Sequence, residues 1–196
     1  MNEAFLERWL QEVLATPGLT GLTSRAESRR VLLEDALRAL PLLEASSGPV
    51  IDVGSGGGSP GIPLAVLLPG HRFTLLDAER RKCEFLRRIA VELANVDVVW
   101  GRAEEQPREA FGVALAKALA RPPVAAELCL PLVARGGLAI LWVGESAEPD
   151  RVARVAQRLA GELEAGPEGF LVLRKTGSTP PGFPRRPGMA KKRPLA

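Results

Sequence analysis

An α/β fold, a parallel sheet with helices on both faces, is predicted by three observations. Short apolar runs alternate with stretches of helical period from about residue 49 to residue 175. The first run, Val50-Ile51-Asp52-Val53, passes through the glycine-dense turn Gly54-Ser55-Gly56-Gly57-Gly58-Ser59-Pro60-Gly61 into the apolar stretch Ile62-Pro63-Leu64-Ala65. The second run ends Leu75-Leu76-Asp77, with an acid about 23 residues past Gly54. Strand, glycine turn, helix, strand and acid in that order make a Rossmann-like unit.

The elements follow in sequence. Phe5, Leu6, Trp9, Leu10, Val13 and Leu14 have helical spacing over residues 2–15, and Thr16-Pro17-Gly18 ends that helix. A second helix is predicted over 25–45, with Val31, Leu32, Leu33, Leu37, Leu40, Leu42 and Leu43. Strands are predicted near 49–53, 72–77, 96–100, 112–116, 137–143 and 169–175. Helices are predicted near 61–68, 79–94, 103–109, 122–134 and 149–163. Pro180-Pro181-Gly182-Phe183-Pro184 reads as an extended segment. The expected organisation is one structural domain: a helical extension over 1–46, a body over 47–176 and a basic, Pro-rich tail over 177–196.

With 196 residues the chain suffices for one domain with a sizeable core. No apolar run is long enough to span a membrane. The start, Met1-Asn2-Glu3-Ala4-Phe5, lacks a basic-then-apolar leader, so a cytoplasmic place is expected. Cys83 and Cys129 read as reduced, buried thiols. His71 is the only histidine and sits in a turn, which argues against a histidine triad or a zinc site; no metal is expected. Net charge is +3, yet the chain from Arg174 onward holds seven basic residues and no acid, so the rest is net acidic. A basic tail on an acidic body suggests a polyanionic partner or a solvated tail.

Glycine reaches positive φ and has no side chain to hold a ligand away. Pro60 suits a first helical turn, and the backbone donors beside it are expected to face a polar ligand group. A dinucleotide loop requires G-x-G-x-x-G, but Ser59 holds the third place. The pattern from Asp52 is acid-x-G-x-G-x-G, the S-adenosylmethionine form of the loop; a purely structural glycine turn is the alternative. The expected fold is thus a class I S-adenosylmethionine-dependent methyltransferase sheet, with cofactor contacts at Asp52, Gly54, Ser55, Gly56, Gly58 and Ser59.

Asp77, with Ala78, stands where an open α/β sheet binds ribose hydroxyls; capping the helix that begins Glu79-Arg80-Arg81 is the other reading. In Trp100-Gly101-Arg102-Ala103-Glu104-Glu105, the Ala103 backbone and the Glu104 carboxylate would meet the adenine ring nitrogen and amino group, or else open a helical turn. Lys117 lies in the apolar run Leu115-Ala116-Lys117-Ala118 and needs a partner. Candidates are Glu104, the cofactor's carboxylate, a substrate phosphate, or escape to solvent at the sheet edge. Arg80, Arg81, Lys82, Arg87 and Arg88 form a basic helical face, read as solvated or as touching RNA phosphates. Trp142 reads as core, and Phe183 as stacking on a base or docking on the body.

The chain resembles the bacterial glucose-inhibited division protein B family. The resemblance rests on Asp52 through Ala65, Leu75-Leu76-Asp77, Phe85-Leu86, Gly101-Arg102-Ala103-Glu104, Leu130-Pro131-Leu132 with Gly136-Gly137, Arg174-Lys175, and the ending Pro180 through Gly188 with Pro194-Leu195. It runs from about residue 20 to the C-terminus, and the Pro-Gly-Ile-Pro-Leu and Pro-Arg-Arg-Pro-Gly pieces are its specific parts. It implies an S-adenosylmethionine-dependent methyltransferase acting on guanine N7 in small-subunit ribosomal RNA, as naked RNA or assembled subunit, with no membrane and no required oligomer. It also implies RNA-backbone contacts at Arg185, Arg186, Lys191 and Lys192, and Lys117 as the catalytic-site residue, holding cofactor or substrate. Guanine N7 carries a free lone pair, so no general base is needed.

The chain departs from the family at Gly21 (usually Asn), Leu32 (His), Gly112 (an acid), Lys117 (Arg) and Val143-Gly144 (Lys-Gly), while Asp35 remains. Three other readings stay open. Leu32, Lys117 and Val143 motivate a catalytically weak cofactor- or RNA-binding module of the same fold. A dinucleotide oxidoreductase is opposed by Ser59. A small-molecule methyltransferase would make the basic tail irrelevant.

Overall fold

The computed structural model describes residues 2–144 and 147–196; Met1, the head of the expected extension, falls outside them. The N-terminal segment forms α1 (Asn2–Ala15), α2 (Arg25–Ser28), a π-helical turn (Arg29–Glu34), α3 (Asp35–Leu37) and α4 (Leu40–Glu44). The helix expected over 25–45 is therefore present but broken, with one π-turn inside it. The body runs β1 (Val50–Val53), α5 (Gly61–Leu67), β2 (Phe73–Asp77), α6 (Arg80–Ala90), β3 (Val96–Trp100), β4 (Phe111–Ala116), α7 (Pro122–Cys129), β5 (Val133–Trp142), α8 (Pro149–Arg158), β6 (Gly161–Glu164) and β7 (Phe170–Lys175). The tail ends in α9 (Met189–Lys192). Among the described residues no helix is long and apolar enough to cross a membrane.

The seven strands lie in the order β3-β2-β1-β4-β5-β7-β6. The pairs among β1 to β5 are parallel, but β7 runs antiparallel to both β5 and β6. This corrects the all-parallel expectation. A short connection joins β6 to β7, and only an antiparallel pair can be joined without a long crossover. β6 itself was read as the end of a helix. Ala160 at φ 55° stops α8, and Gly161-Glu162-Leu163-Glu164 then alternates as an edge strand.

Other boundaries moved for local reasons. The helix expected at 103–109 shrinks to one 3-10 turn, Ala103–Glu105, before Pro107. The helix expected at 122–134 ends at Cys129, and β5 starts at Val133 after a 3-10 turn around Pro131. The segment 180–184, expected to be extended, holds a turn instead: Gly182 has φ 86° and the Phe183 N–H donates to the Pro180 carbonyl at 3.3 Å, before the tail closes into α9.

Alternation along β1 explains the layers. Ile51 and Val53 enter the cluster under α7 and α8 with Ala114, Leu141, Leu173 and Val155. Val50 enters the opposite cluster with Leu43, Leu64, Phe73 and Ile140. On that side α1 adds Trp9 and Leu10, which pack with Ile62, Leu75 and Leu86. The tail joins the α7–α8 face through buried Ala190 and half-buried Phe183 and Leu195. Gly112 has no room for any side chain. A Cβ there would lie 1.7 Å from the Ser47 carbonyl oxygen.

Candidate active site

Strand order reverses between β1 and β4, and ligands of open α/β sheets bind at the carboxyl ends of strands at such a point. The turn after β1 opens the crevice there. Gly54 has φ +76°, and a Cβ on it would sit 2.6 Å from Leu119 Cδ1. The backbone angle favours glycine, and a Cβ would push the Leu119 side chain aside.

Asp52 is 1% exposed and touches neither cavity of the crevice. Its Oδ2 accepts the Gly61 N–H at 3.0 Å, while Oδ1 has no partner. Burial pushes its carboxyl up to about 7; Asp77 adds to the rise, and the Gly61 N–H, Ser55 and Lys117 oppose it. The Ser55 hydroxyl donates to the Asp52 carbonyl at 2.9 Å, and the Ile62 N–H donates to the Gly58 carbonyl. The donors expected to face a ligand at the start of α5 are thus satisfied inside the loop. This corrects that expectation: Asp52 braces the turn from beneath, and Gly58 likewise lines neither cavity.

Asp77 unites its two readings. Its Oδ2 accepts the Gly56 N–H at 2.9 Å and its Oδ1 the Glu79 N–H at 2.8 Å, which ties the two strand-end loops together. Each oxygen keeps a lone pair, and the residue lines the crevice.

The crevice consists of two cavities, about 270 and 340 Å³, sharing Gly54, Lys82 and Ala118. The first is bordered by Asp77, Ala78, Ala103, Glu104 and Leu128. The second is bordered by Ser55, Gly56, Ser59, Leu32 and Lys117. Ala118, at φ 54°, holds a left-handed conformation that a non-glycine residue rarely adopts, at the boundary between the two. The N-terminal helices form the second cavity's roof. Trp9 Nε1 donates to the Gly57 carbonyl at 2.8 Å, and the Ser59 hydroxyl to the Leu32 carbonyl at 2.7 Å.

Lys117 finds partners other than those expected. Its Nζ donates to the Val31 carbonyl and pairs with Asp35 at 2.9 Å. Val31 belongs to the π-turn, whose irregular ladder leaves carbonyls for such bonds. The partner of Lys117 is therefore Asp35, in place of Glu104 or a ligand.

One tail assignment also changes. Arg185 lies in a fork with Glu127 of α7, Nε to Oε1 at 2.6 Å and Nη2 to Oε2 at 2.7 Å, and Nη2 also donates to the Arg193 carbonyl at 2.8 Å. Glu127 is 3% exposed and Arg185 20%, so the Nε and Nη2 of this guanidinium are spent inside the protein rather than on an RNA backbone. Arg186, Lys191 and Lys192 are exposed and make no ion pair among the described residues. Glu104 Oε1 accepts the Gly188 N–H of the tail at 2.8 Å, which leaves Oε2 for a base.

Sequence reasoning missed three contributors. Lys82, read as part of a solvated face, borders both cavities and bonds Glu79 at 2.7 Å. That bond holds its ammonium pKa above the usual value, with Asp77 adding to it against burial. Its position in the first turn after the Asp77 strand end was the available signal. Ala118 and Gly188 gave none. Trp142 is half-buried rather than fully core, with Nε1 donating to the Asp35 carbonyl at 3.2 Å and an edge contact to Phe170.

Comparison with known proteins agrees with this geometry. The family model described as rRNA small subunit methyltransferase G matches residues 2–162. The ribosomal RNA small subunit methyltransferase G of Synechococcus elongatus is 39% identical over 198 residues, covering 90% of this chain and 82% of that protein. Its Rubrobacter xylanophilus counterpart is 40% identical over 196 residues, covering 86% and 75%. Among solved structures, geranyl diphosphate methyltransferase in complex with SAM superposes with TM-score 0.56 at 16% identity, over 79% of this chain and 76% of that one. At that identity the likeness concerns the fold.

Proposed function

The chain belongs to the rRNA small subunit methyltransferase G family, and on that premise we propose that it methylates N7 of a guanine in small-subunit ribosomal RNA. It is an S-adenosylmethionine-dependent methyltransferase with the Rossmann-like class I fold. The observation that carries the reading is the paired cavity at the β1–β4 switch, with Asp77 at one end and the N-terminal roof at the other.

The residues present fit the cofactor. Gly54 gives a cradle that a Cβ would fill, and Asp77 keeps one acceptor lone pair on each oxygen for ribose hydroxyls. Ala103 and the second oxygen of Glu104 flank the place of the base, and Gly56 and Ser59 border the other end. When bound, S-adenosylmethionine supplies an electrophilic methyl group. The chain's task is then alignment, and orienting two bound reactants can supply up to about 7–11 kcal/mol. Guanine N7 needs no deprotonation before attack, so the reading asks no general base of the site. Lys117, neutralised by Asp35, holds the π-turn against the end of β4 and so shapes the second cavity; we assign it a positioning role in place of a catalytic one. Exposed Arg186, Lys191 and Lys192 supply positive charge for the RNA backbone. The segments 1–46 and 177–196 belong to the same domain as the body, an assignment supported by the Trp9, Ser59 and Arg185 bonds.

The test uses methyl-labelled cofactor and small subunits from a strain lacking the modification, beside naked RNA. Label at one guanine, mapped by cleavage at N7-methylguanine, is expected. No label, with cofactor binding confirmed by calorimetry, would overturn the transfer reading.

A further inference from the structure

The sequence marks the tail as an RNA arm, yet its best-made contacts point inward. Phe183 and Leu195 pack on the α7–α8 face, and Arg108 donates to the Phe183 carbonyl at 3.3 Å. Between these anchors the Arg185–Glu127 fork fixes the tail to α7 one residue before Leu128, which borders the first cavity. Gly188 then turns at φ +81° and gives its N–H to Glu104 across that cavity. Ala190 is buried, and Gly188, Ala190 and Lys191 border the cavity themselves.

We infer that residues 185–191 form the outer wall of the cofactor cleft, and that Arg185 and Glu127 are a positioning pair that sets cofactor affinity. This rests on the reading of the cleft as the S-adenosylmethionine site. A bidentate guanidinium–carboxylate pair is directional as well as strong, so it fixes both the distance and the angle between tail and α7. With the pair broken, a nearly buried Glu127 is left uncompensated, and the tail has reason to leave. Without the tail, Glu104 and Leu128 face water, and the base end of the cleft loses one side. The pair touches neither cavity, so it acts through Gly188 and Ala190.

The experiment is calorimetric titration of S-adenosylmethionine into the full-length chain, with steady-state kinetics on small subunits. Arg185→Ala should raise the cofactor Kd and the cofactor KM about tenfold, with kcat at saturation and the subunit KM within about threefold of wild type. Arg185→Lys, which keeps the charge but loses the fork, should recover part of the affinity. Should Arg185→Ala fail to fold, Gly188→Val decides. A Cβ there meets nothing within 4 Å, so only the turn and its N–H are disturbed, and the cofactor Kd should still rise several-fold. A raised subunit KM with an unchanged cofactor Kd would overturn the inference and leave the tail an RNA arm. A wild-type chain that binds no S-adenosylmethionine would overturn the reading of the cleft and this inference with it. A wild type that binds, beside variants that bind as well, would overturn the inference alone.

Discussion

At the glycine-turn wall of the cleft, Asp77 holds the Gly56 N–H from 21 residues away, and Asp52 holds the Gly61 N–H from 9. At the opposite wall, Glu104 meets Gly188 across 84 residues and Arg185 meets Glu127 across 58. The first wall is a local object. Its glycines, acids and helix start lie within one βαβ stretch, residues 52–79, and would form in any α/β unit that paired β1 with β2. The second exists only because a tail, after crossing the sheet as β7, returns over α7. The two walls differ accordingly in how they fail. A local wall fails by steric intrusion at one position, while a distant wall fails by undocking.

The largest effect is expected at the local wall. Gly54→Val places a branched side chain where a Cβ already lies 2.6 Å from Leu119 Cδ1. Its cofactor Kd, by calorimetry, should rise at least about 100-fold with the fold kept by circular dichroism. Binding within tenfold of wild type would break the picture of a rigid local wall. The Arg185→Ala titration comes next and measures the distant wall on the same scale.

Lys117 stands between the two. Lys117→Ala leaves Asp35 with Arg38 as its remaining cation and bares the Val31 carbonyl; with both side chains partly exposed, a loss of about 1 kcal/mol is expected by denaturant unfolding. Lys117→Arg, which keeps the cation, should retain stability and kcat. A limb of the kcat–pH profile that vanishes in Lys117→Ala would show a proton-transfer role and contradict the positioning assignment.

A pH series separates the brace of the local wall from its surface. Asp52 ionises near its ordinary value of 3.8 when unfolded but at about 7 when folded. Between those values the folded state binds more protons, so the Asp52 contribution lowers stability as pH rises from about 4 to about 7 and is level above that. Asp52→Asn should remove this slope, as read from urea midpoints at pH 5 and pH 8. An unchanged slope would show that the carboxyl ionises near its ordinary value in the folded protein as well.

The smallest effect belongs to the exposed cations. Lys191→Ala and Lys192→Ala should each lower the slope of log affinity against log salt for the RNA by about 1, or not at all where no phosphate is met. A comparable change from Arg185→Ala, without loss of cofactor affinity, would place Arg185 on the RNA side after all.

Much of the local wall was legible, because periodicity and turn chemistry act over a few residues. The strands near 49–53, 72–77 and 96–100 and the turn from Gly54 were placed within a residue or so. Asp52 was misread in one respect. The sequence shows an acid beside a glycine turn, but whether its side chain points into the cleft or beneath the turn depends on strand pleat and the path of α5. β6 was missed because four residues of alternating glutamate look like a polar helix end until a partner strand pairs with them.

By itself the sequence determined the strand–turn–helix grammar, the glycine cradle, the acid at the end of β2 and the family. These follow from backbone angles, burial periods and motifs that need no distant partner. Only the tertiary structure decided the direction of β7, the Asp35 partner of Lys117, the Arg185–Glu127 fork and the contact of Gly188 with Glu104. Lys117 reaches Val31 across 86 residues, and no local rule ranks which of many possible partners a cation will meet at that separation. The packing of the N-terminal helices and the docking of the tail bring those groups within hydrogen-bond distance, and burial then makes the pairing obligatory.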